Sequence, residues 1–306
     1  MTDVYEPGST MKVFTIAAAL DNKRVGLDSV FACPPFITVD GRLITDHEAP
    51  RWNRQLKPIE IMEVSSNVGT TQIAFRMKSA EHRAWMSRIG FGGQTGSGIT
   101  GESKGVLPKL PWRRITHATL SYGQGISVTA LQILSAASAV GNHGERMVPR
   151  LIDRVVSNKG EVLEAFPSKS AGQVMRPETA KQVMSMLEQV VRTGTGVEAK
   201  VAGYRVAGKT GTAQRIRDDG RGYSNDVVAS FLGFAPSDNP RFVILTLLDS
   251  PRKVHWASLT AAPLFSRVAG EALRYAGVEP TEPVTNGSPR AAAATPTPAP
   301  KGRYGE

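Results

Sequence analysis

Cysteine is almost missing: Cys33 stands alone in 306 residues, which excludes an intrachain disulfide framework. Histidine is sparse as well. The five positions, His47, His82, His117, His143 and His255, lie far apart without metal-ligand spacing, so no zinc or iron site is expected. No run of about 18 apolar residues occurs, which excludes a transmembrane helix, and nothing before Thr2 has the make-up of a signal peptide. A clustered basic motif is lacking too. The net charge is +10, yet the basic residues are scattered, with Arg113-Arg114 and the stretch 215–221 the densest groups. Without zinc spacing, a helix-turn-helix pattern or interleaved aromatics, this charge reads as a solvated surface or one facing an anionic polymer, and no nucleic-acid partner is expected.

What is present is an ordinary globular composition, 41% hydrophobic and 21% charged, with 30 Gly and 20 Pro. One domain is expected over residues 1–278. From residue 279 a Pro/Ala/Thr-rich tract is expected to be a disordered tail, because it has too little apolar surface to offset its ordering entropy.

The hydrophobic pattern divides the chain. Residues 10–20 contain no helix breaker and read as a helix, preceded by the Pro7-Gly8 break. Asp40-Gly41 is expected to turn between two short strands in a Pro-rich stretch. Short helices are expected at 58–64, opened by Pro58, at 68–77 and at 81–89, then a glycine-rich loop at 92–105. Residues 129–140 and 177–192 read as longer helices. The period then changes: 204–212, 227–235 and 242–249 read as strands, the first pair joined by a hairpin around Asp218-Asp219-Gly220 and the second through 236–240. Connections this short favour antiparallel pairing. Residues 261–276 form a closing helix. Helices, then a meander, then a helix imply an α+β fold, an antiparallel sheet flanked by helices.

Three motifs carry chemistry. Ser9 and Lys12 are one helical turn apart, at the start of the first helix, where its dipole favours negative charge. An amine so placed can take the proton of a serine hydroxyl and make it a nucleophile. A capping serine followed by a surface lysine would have the same spacing. Ser65-Ser66-Asn67 lies between two helices, where a hydroxyl could relay a proton and a carboxamide could hold Lys12 and a substrate carbonyl, or where both could merely cap a turn. In Lys209-Thr210-Gly211-Thr212, strand alternation puts both threonines on one face, able to grip a carboxylate. Gly211 leaves room for a close backbone, and Lys209 adds a fixed charge; the bland reading is a strand with a Gly bulge.

Each element alone is common; their order, each in its own helix, loop or strand setting, is not. Together with Tyr5-Glu6-Pro7-Gly8, with residues 122–129 (Tyr-Gly-Gln-Gly-Ile-Ser-Val-Thr) and with 206–214, they make the chain resemble the transpeptidase domain of class B penicillin-binding proteins, most closely the division-specific type. The likeness runs from about residue 5 to about 277. It implies the serine β-lactamase/penicillin-binding-protein fold and acyl transfer on peptidoglycan stem peptides ending in D-Ala-D-Ala. On that resemblance Ser9 is the nucleophile, Lys12 its base, Ser65 a proton relay and Asn67 the holder of substrate amide and Lys12. Lys209 supplies charge, Thr210, Gly211 and Thr212 form the carboxylate subsite, and the Ser9 and Thr212 N–H groups form the oxyanion hole. It implies no cofactor and no metal, acylation by β-lactams, and partnership with a septal glycosyltransferase and other division proteins.

A D,D-carboxypeptidase, a β-lactam sensor and an inactive division scaffold share these motifs. The stretch from Gly203 to Thr210 also fits the phosphate-loop pattern G-x-x-x-x-G-K-[ST], but Gly211 follows Thr210 where a helix should begin. In the resembled family an inner-membrane anchor, a pedestal domain and two sheet strands precede the nucleophile, with the catalytic domain on the periplasmic face. Only eight residues precede Ser9 here, so the expectation is an N-terminally incomplete domain with three main strands where the family has five.

Overall fold

The computed structural model describes residues 2–46, 54–217, 222–280 and 282–283. A 3₁₀ turn, Gly8–Thr10, leads into helix α1 (Met11–Asp21). Strands β1 (Phe31–Cys33), β2 (Phe36–Val39), β3 (Arg42–Thr45) and β4 (Arg54–Leu56) follow, β1 pairing β4 and β2 pairing β3 across the Asp40-Gly41 turn. Helices α2 (Pro58–Glu63), α3 (Asn67–Ala74), α4 (Ser79–Arg88), α5 (Arg114–Ser121) and α6 (Ala130–Gly141) come next. Strands β5 (Glu145–Met147), β6 (Arg154–Val156), β7 (Val162–Ala165) and β8 (Ser170–Gln173) form two small ladders, β5 with β8 and β6 with β7. Helix α7 (Pro177–Arg192) precedes the meander β9 (Ala207–Ile216), β10 (Tyr223–Ala235) and β11 (Phe242–Asp249), and α8 (Ala261–Tyr275) closes the order.

The meander is one antiparallel sheet in the order β11-β10-β9, the three strands that the change of period marks. The Asp218-Asp219-Gly220 turn lies outside the described residues, as does nearly all of the expected tail. The sequence expectation lacks helix α5 and the short strands β1, β4 and β5–β8. Helix α5 is hidden by its composition, since Arg114, Ile115, Thr116 and His117 give no helical start signal. The strands β5–β8 are too short to leave a period, and β6 and β7 are exposed throughout.

Helix α1 is the axis of the larger core. Met11 to Leu20 are all buried, so the helix is enclosed on every side and packs against α3, α4, α5 and α7. Each of its large side chains contributes about 1.5–3 kcal/mol by leaving water. A second core lies between the sheet and α8, where the Phe231 and Phe265 rings stand 4.8 Å apart. The sheet also contributes Ala207, Leu232 and Phe234 to the larger core, and the 3₁₀ turn lies against β9.

Helices α4 and α5 bury His82 and His117, with Nδ1 of the first 3.2 Å from Nε2 of the second. Burial pushes His82 down to about 3, helped by His117, and His117 down to about 4. An unfolded histidine titrates near 6.5. Between about 6.5 and 4 the unfolded chain therefore binds more protons, and acid favours it. Stability should fall with pH across that window by up to about 1.4 kcal/mol per pH unit for each histidine. Urea midpoints measured from pH 7.5 to 4.5 check this. The slope should flatten in a His82→Gln, His117→Gln double variant, whatever its absolute stability.

Candidate active site

Ser9 sits in the middle of the 3₁₀ turn rather than at the first position of an α-helix. Gly8 before it has φ +53°, and a methyl there would meet the Thr212 carbonyl at 3.1 Å, so the turn is stacked on β9. From the other strand side, a methyl on Gly211 would lie 2.9 Å from the Pro7 carbonyl and 2.6 Å from Ser230 Oγ. Glycine is needed there by contact, as the close-backbone reading requires.

Lys12 is fully buried one turn into the helical axis. Its Nζ donates to the Ser65 carbonyl at 2.5 Å and to Ser65 Oγ at 3.2 Å. Among the described residues no hydrogen bond joins Lys12 to Ser9. Lys209, also fully buried, reaches from β9 and donates to Ser65 Oγ at 2.9 Å, to the Thr210 carbonyl at 3.2 Å and to Thr210 Oγ1 at 3.3 Å. The Ser65 hydroxyl thus lies between two amines. Ser65 adopts φ +59°, a left-handed conformation rare for serine, at the turn from α2 to α3.

The charge state follows from burial. Lys12 is pushed down to about 7 by desolvation, against an opposing pull from Asp46. Lys209 falls well below its ordinary range, by desolvation first and the Lys12 charge second. Two amines on one hydroxyl in a dry site titrate as a pair and do not both hold a proton comfortably. The expectation is that Lys209 adds a fixed charge; its burial works against that and favours the neutral form.

Asn67 lacks the expected contact with Lys12. Its side-chain nitrogen donates to the Thr45 carbonyl at 2.8 Å, and no hydrogen bond to Lys12 is formed among the described residues. The turn is held by a residue that the motifs do not contain. Asp46 accepts from the Asn67 N–H at 2.5 Å and the Val68 N–H at 3.0 Å on one oxygen, and from the Ser66 hydroxyl at 2.7 Å on the other. It shares the capping of α3 with Ser66, which accepts from the Gly69 N–H. Asp46 lies 20 residues before Ser66 with no spacing signal, so only the folded chain reveals it.

A cleft of about 680 Å³ joins these parts; Ser9, Asp46, Ser65, Thr195, Thr210, Thr212 and Trp256 line it. Thr210 and Thr212 share the cleft face, and Thr195, from the small-residue turn after α7, lies 3.0 Å from Thr210 by their hydroxyls. The Ala257 N–H donates to Thr212 Oγ1 at 3.4 Å. Lys209 and Thr210 lie inside a strand, so the stretch from Gly203 lacks the helix N-terminus that a phosphate loop requires.

The penicillin binding protein transpeptidase domain matches residues 1–270. This chain belongs to that family. It is 36% identical to the penicillin-binding protein PbpB of Mycolicibacterium smegmatis over 92% of its length, and 34% identical to the peptidoglycan D,D-transpeptidase FtsI of Escherichia coli over 92%. It spans 45% of the length of each of these two relatives. Among solved structures, the transpeptidase domain of penicillin-binding protein 3 from Burkholderia pseudomallei aligns with TM-score 0.80 at 37% identity, covering 92% of this chain and 82% of that one. Penicillin-binding protein 3 of Mycobacterium tuberculosis complexed with aztreonam gives 0.82 at 33% identity, covering 92% and 65%. The fold is the transpeptidase fold, an antiparallel sheet with helices on it. Among the described residues no helix is long and apolar enough to cross a membrane.

Proposed function

We propose that the chain is a serine D,D-transpeptidase that cross-links peptidoglycan stem peptides ending in D-Ala-D-Ala during septal wall synthesis, and that β-lactams acylate it at Ser9. The observation that carries this reading is the Ser65 hydroxyl bonded by two buried lysines at the edge of the cleft that Ser9 lines. The family membership and the names of the relatives support it, as does the aztreonam complex of the tuberculosis protein. The septal role rests on the likeness of residues 122–129 to the division-specific type.

In this reading the Ser9 hydroxyl attacks the penultimate D-Ala carbonyl. Its proton passes to the Lys12–Ser65–Lys209 group, and the Ser65 hydroxyl returns a proton to the departing D-Ala amine. An amine of a second stem peptide then attacks the acyl-enzyme and frees Ser9. The Ser9 and Thr212 N–H groups stabilise the oxyanion, each for a few kcal/mol. Thr210 and Thr212, with Thr195 behind Thr210, hold the terminal carboxylate, and Gly211 keeps the strand close to the turn. Asn67 orients the substrate amide from the cap of α3. Both oxygens of Asp46 are engaged in the turn, which suits capping rather than activating a water against the acyl-enzyme. Partners on this reading are a septal glycosyltransferase and other division proteins, at the periplasmic face of the inner membrane.

A fluorescent penicillin should leave a covalent adduct that peptide mapping places on Ser9. A folded sample that takes no label there would defeat the reading. The pH profile adds a second test. The base must be neutral, so the acylation rate should rise with pH through the region near 7 set by Lys12. Asp46 holds the Lys12 proton on, so Asp46→Asn should move that rise to lower pH while keeping an acceptor for the α3 N–H groups. A rise that stays in place, or moves to higher pH, would remove Asp46 from control of the pair.

A further inference from the structure

Three residues before Ser9, the Glu6 side chain is buried in a place that the reaction does not use. One carboxylate oxygen, Oε1, accepts from the Gly125 N–H at 2.8 Å and from the Tyr223 hydroxyl at 3.2 Å. The other, Oε2, is buried without a hydrogen-bond partner among the described residues. A carboxylate so enclosed is costly unless its contacts compensate. Burial raises Glu6 above the usual carboxylate range, with both hydrogen bonds pulling the other way. Tyr223 is raised as well, by burial and then by Glu6, so its hydroxyl stays a donor; Tyr122 is the other ionisable group acting on it.

The two donors lie in two segments far apart in the chain. Gly125 lies in the loop whose backbone already brackets the nucleophile turn, through the Tyr5–Val128 bonds at 3.0 and 2.9 Å and the Gly8 N–H to the Gly123 carbonyl at 3.2 Å. Tyr223 opens β10 opposite Ile216, at the far end of the hairpin whose other strand carries Lys209 to Thr212. There the ladder is irregular, with a register shift between Tyr223 and Val227. The main-chain pairing is thus weakest where the Glu6 contact is made.

We propose that Glu6 is a positioning residue that ties the turn carrying Ser9 to the distal end of the β9–β10 hairpin, through the Gly125 N–H and the Tyr223 hydroxyl. It holds the Thr210–Thr212 strand at its working distance from Ser9. Its kinetic consequence rests on the acyl-transfer reading; the tie itself does not.

Two measurements on Glu6→Ala, Glu6→Gln and Tyr223→Phe test it. The first is hydrogen exchange. Glu6→Ala and Tyr223→Phe should both speed exchange in residues 8–12 and 207–216 together, by about tenfold for a lost charge-assisted bond. Faster exchange confined to residues 122–128, or absent, would overturn the tie. The second is penicillin acylation per folded molecule, resolved into the rate at saturation and the half-saturating concentration. Glu6→Ala should lower the saturating rate about tenfold, and Tyr223→Phe several-fold, with half-saturation little changed. Glu6→Gln, which keeps an acceptor oxygen, should stay within about threefold of the parent. A contact that only stabilises the fold would lower the melting temperature and leave the saturating rate alone, and that result overturns the positioning role. If the unaltered chain takes no label, the acyl-transfer reading falls, while the exchange experiment still decides the tie.

Discussion

Lys12→Met should slow the acylation of Ser9 by penicillin by about 10²–10⁴-fold, with the chain still folded. The two halves of that expectation have separate causes. Methionine is close to lysine in length and is apolar, and the site is fully buried in a helix whose residues from Met11 to Leu20 are all buried. Removing a buried amine there relieves a desolvation cost and leaves little cavity. Ser65 loses two contacts but keeps the one from Lys209 at 2.9 Å. The chemistry has no such replacement, because burial brings Lys12 down to about 7 and so makes its amine available as a base. With Lys12 gone, the Lys209 amine is freed from a neighbouring positive charge and rises, so it holds its proton more tightly. What activity is left should therefore depend on Lys209, and its pH profile should report that amine in place of Lys12. Stopped-flow labelling from pH 5.5 to 9.5, beside Ser9→Ala, which should take no label, checks both. A Lys12→Met variant acylated at close to the parent rate would show that Lys209 and Ser65 suffice.

That experiment turns on a feature that the sequence shows only in part. Ser9 and Lys12 are visible because helical spacing is a local property, and Lys209 to Thr212 because strand alternation is another. Helix α7 is read at its full length, since Pro177 opens it and a stripe including Val183, Leu187 and Val190 marks its buried face. The meander is equally plain in the run from 242 to 249. What is not legible is how the local pieces meet. The i, i+3 rule points Lys12 at Ser9, yet the amine turns to Ser65, because the left-handed backbone at Ser65 presents both its carbonyl and its hydroxyl to the buried amine. No propensity predicts a serine in that conformation; Asp46, just past the end of β3, imposes order on the turn. The same long-range contact occupies the cap around Asn67, whose side chain is drawn to Thr45 instead of Lys12. Helix α5 is missed for the opposite reason. Its residues are poor local signals, and burial of Ile115, Ala118 and Leu120 against the rest of the core makes the helix.

Gly123→Ala should destabilise the chain by more than about 2 kcal/mol and cost Ser9 most of its reactivity. Gly123 has φ +85°, in the left-handed region where an L side chain is strained. A methyl added there would lie 2.2 Å from the Gly8 carbonyl oxygen and 2.6 Å from the Gly8 nitrogen. Those atoms are backbone, so no rotamer change relieves the clash; the turn itself must move. It is also tied where the clash would occur, by the Gly8 N–H donating to the Gly123 carbonyl at 3.2 Å. Moving Gly8 moves Ser9, the next residue, away from Thr212 and the cleft. The conformational part of the cost can be subtracted with Gly98→Ala. Gly98 has φ +76° but nothing within 4 Å of the added methyl, so that variant carries the strain of about 1–2 kcal/mol without the clash. Urea unfolding of the two variants, with acylation rates normalised to folded protein, isolates the contact. Gly98→Ala should acylate like the parent, and Gly123→Ala should be both less stable and slower. Equal losses of stability in the two, with normal acylation in both, would mean that the nucleophile turn does not depend on the bare backbone at Gly123.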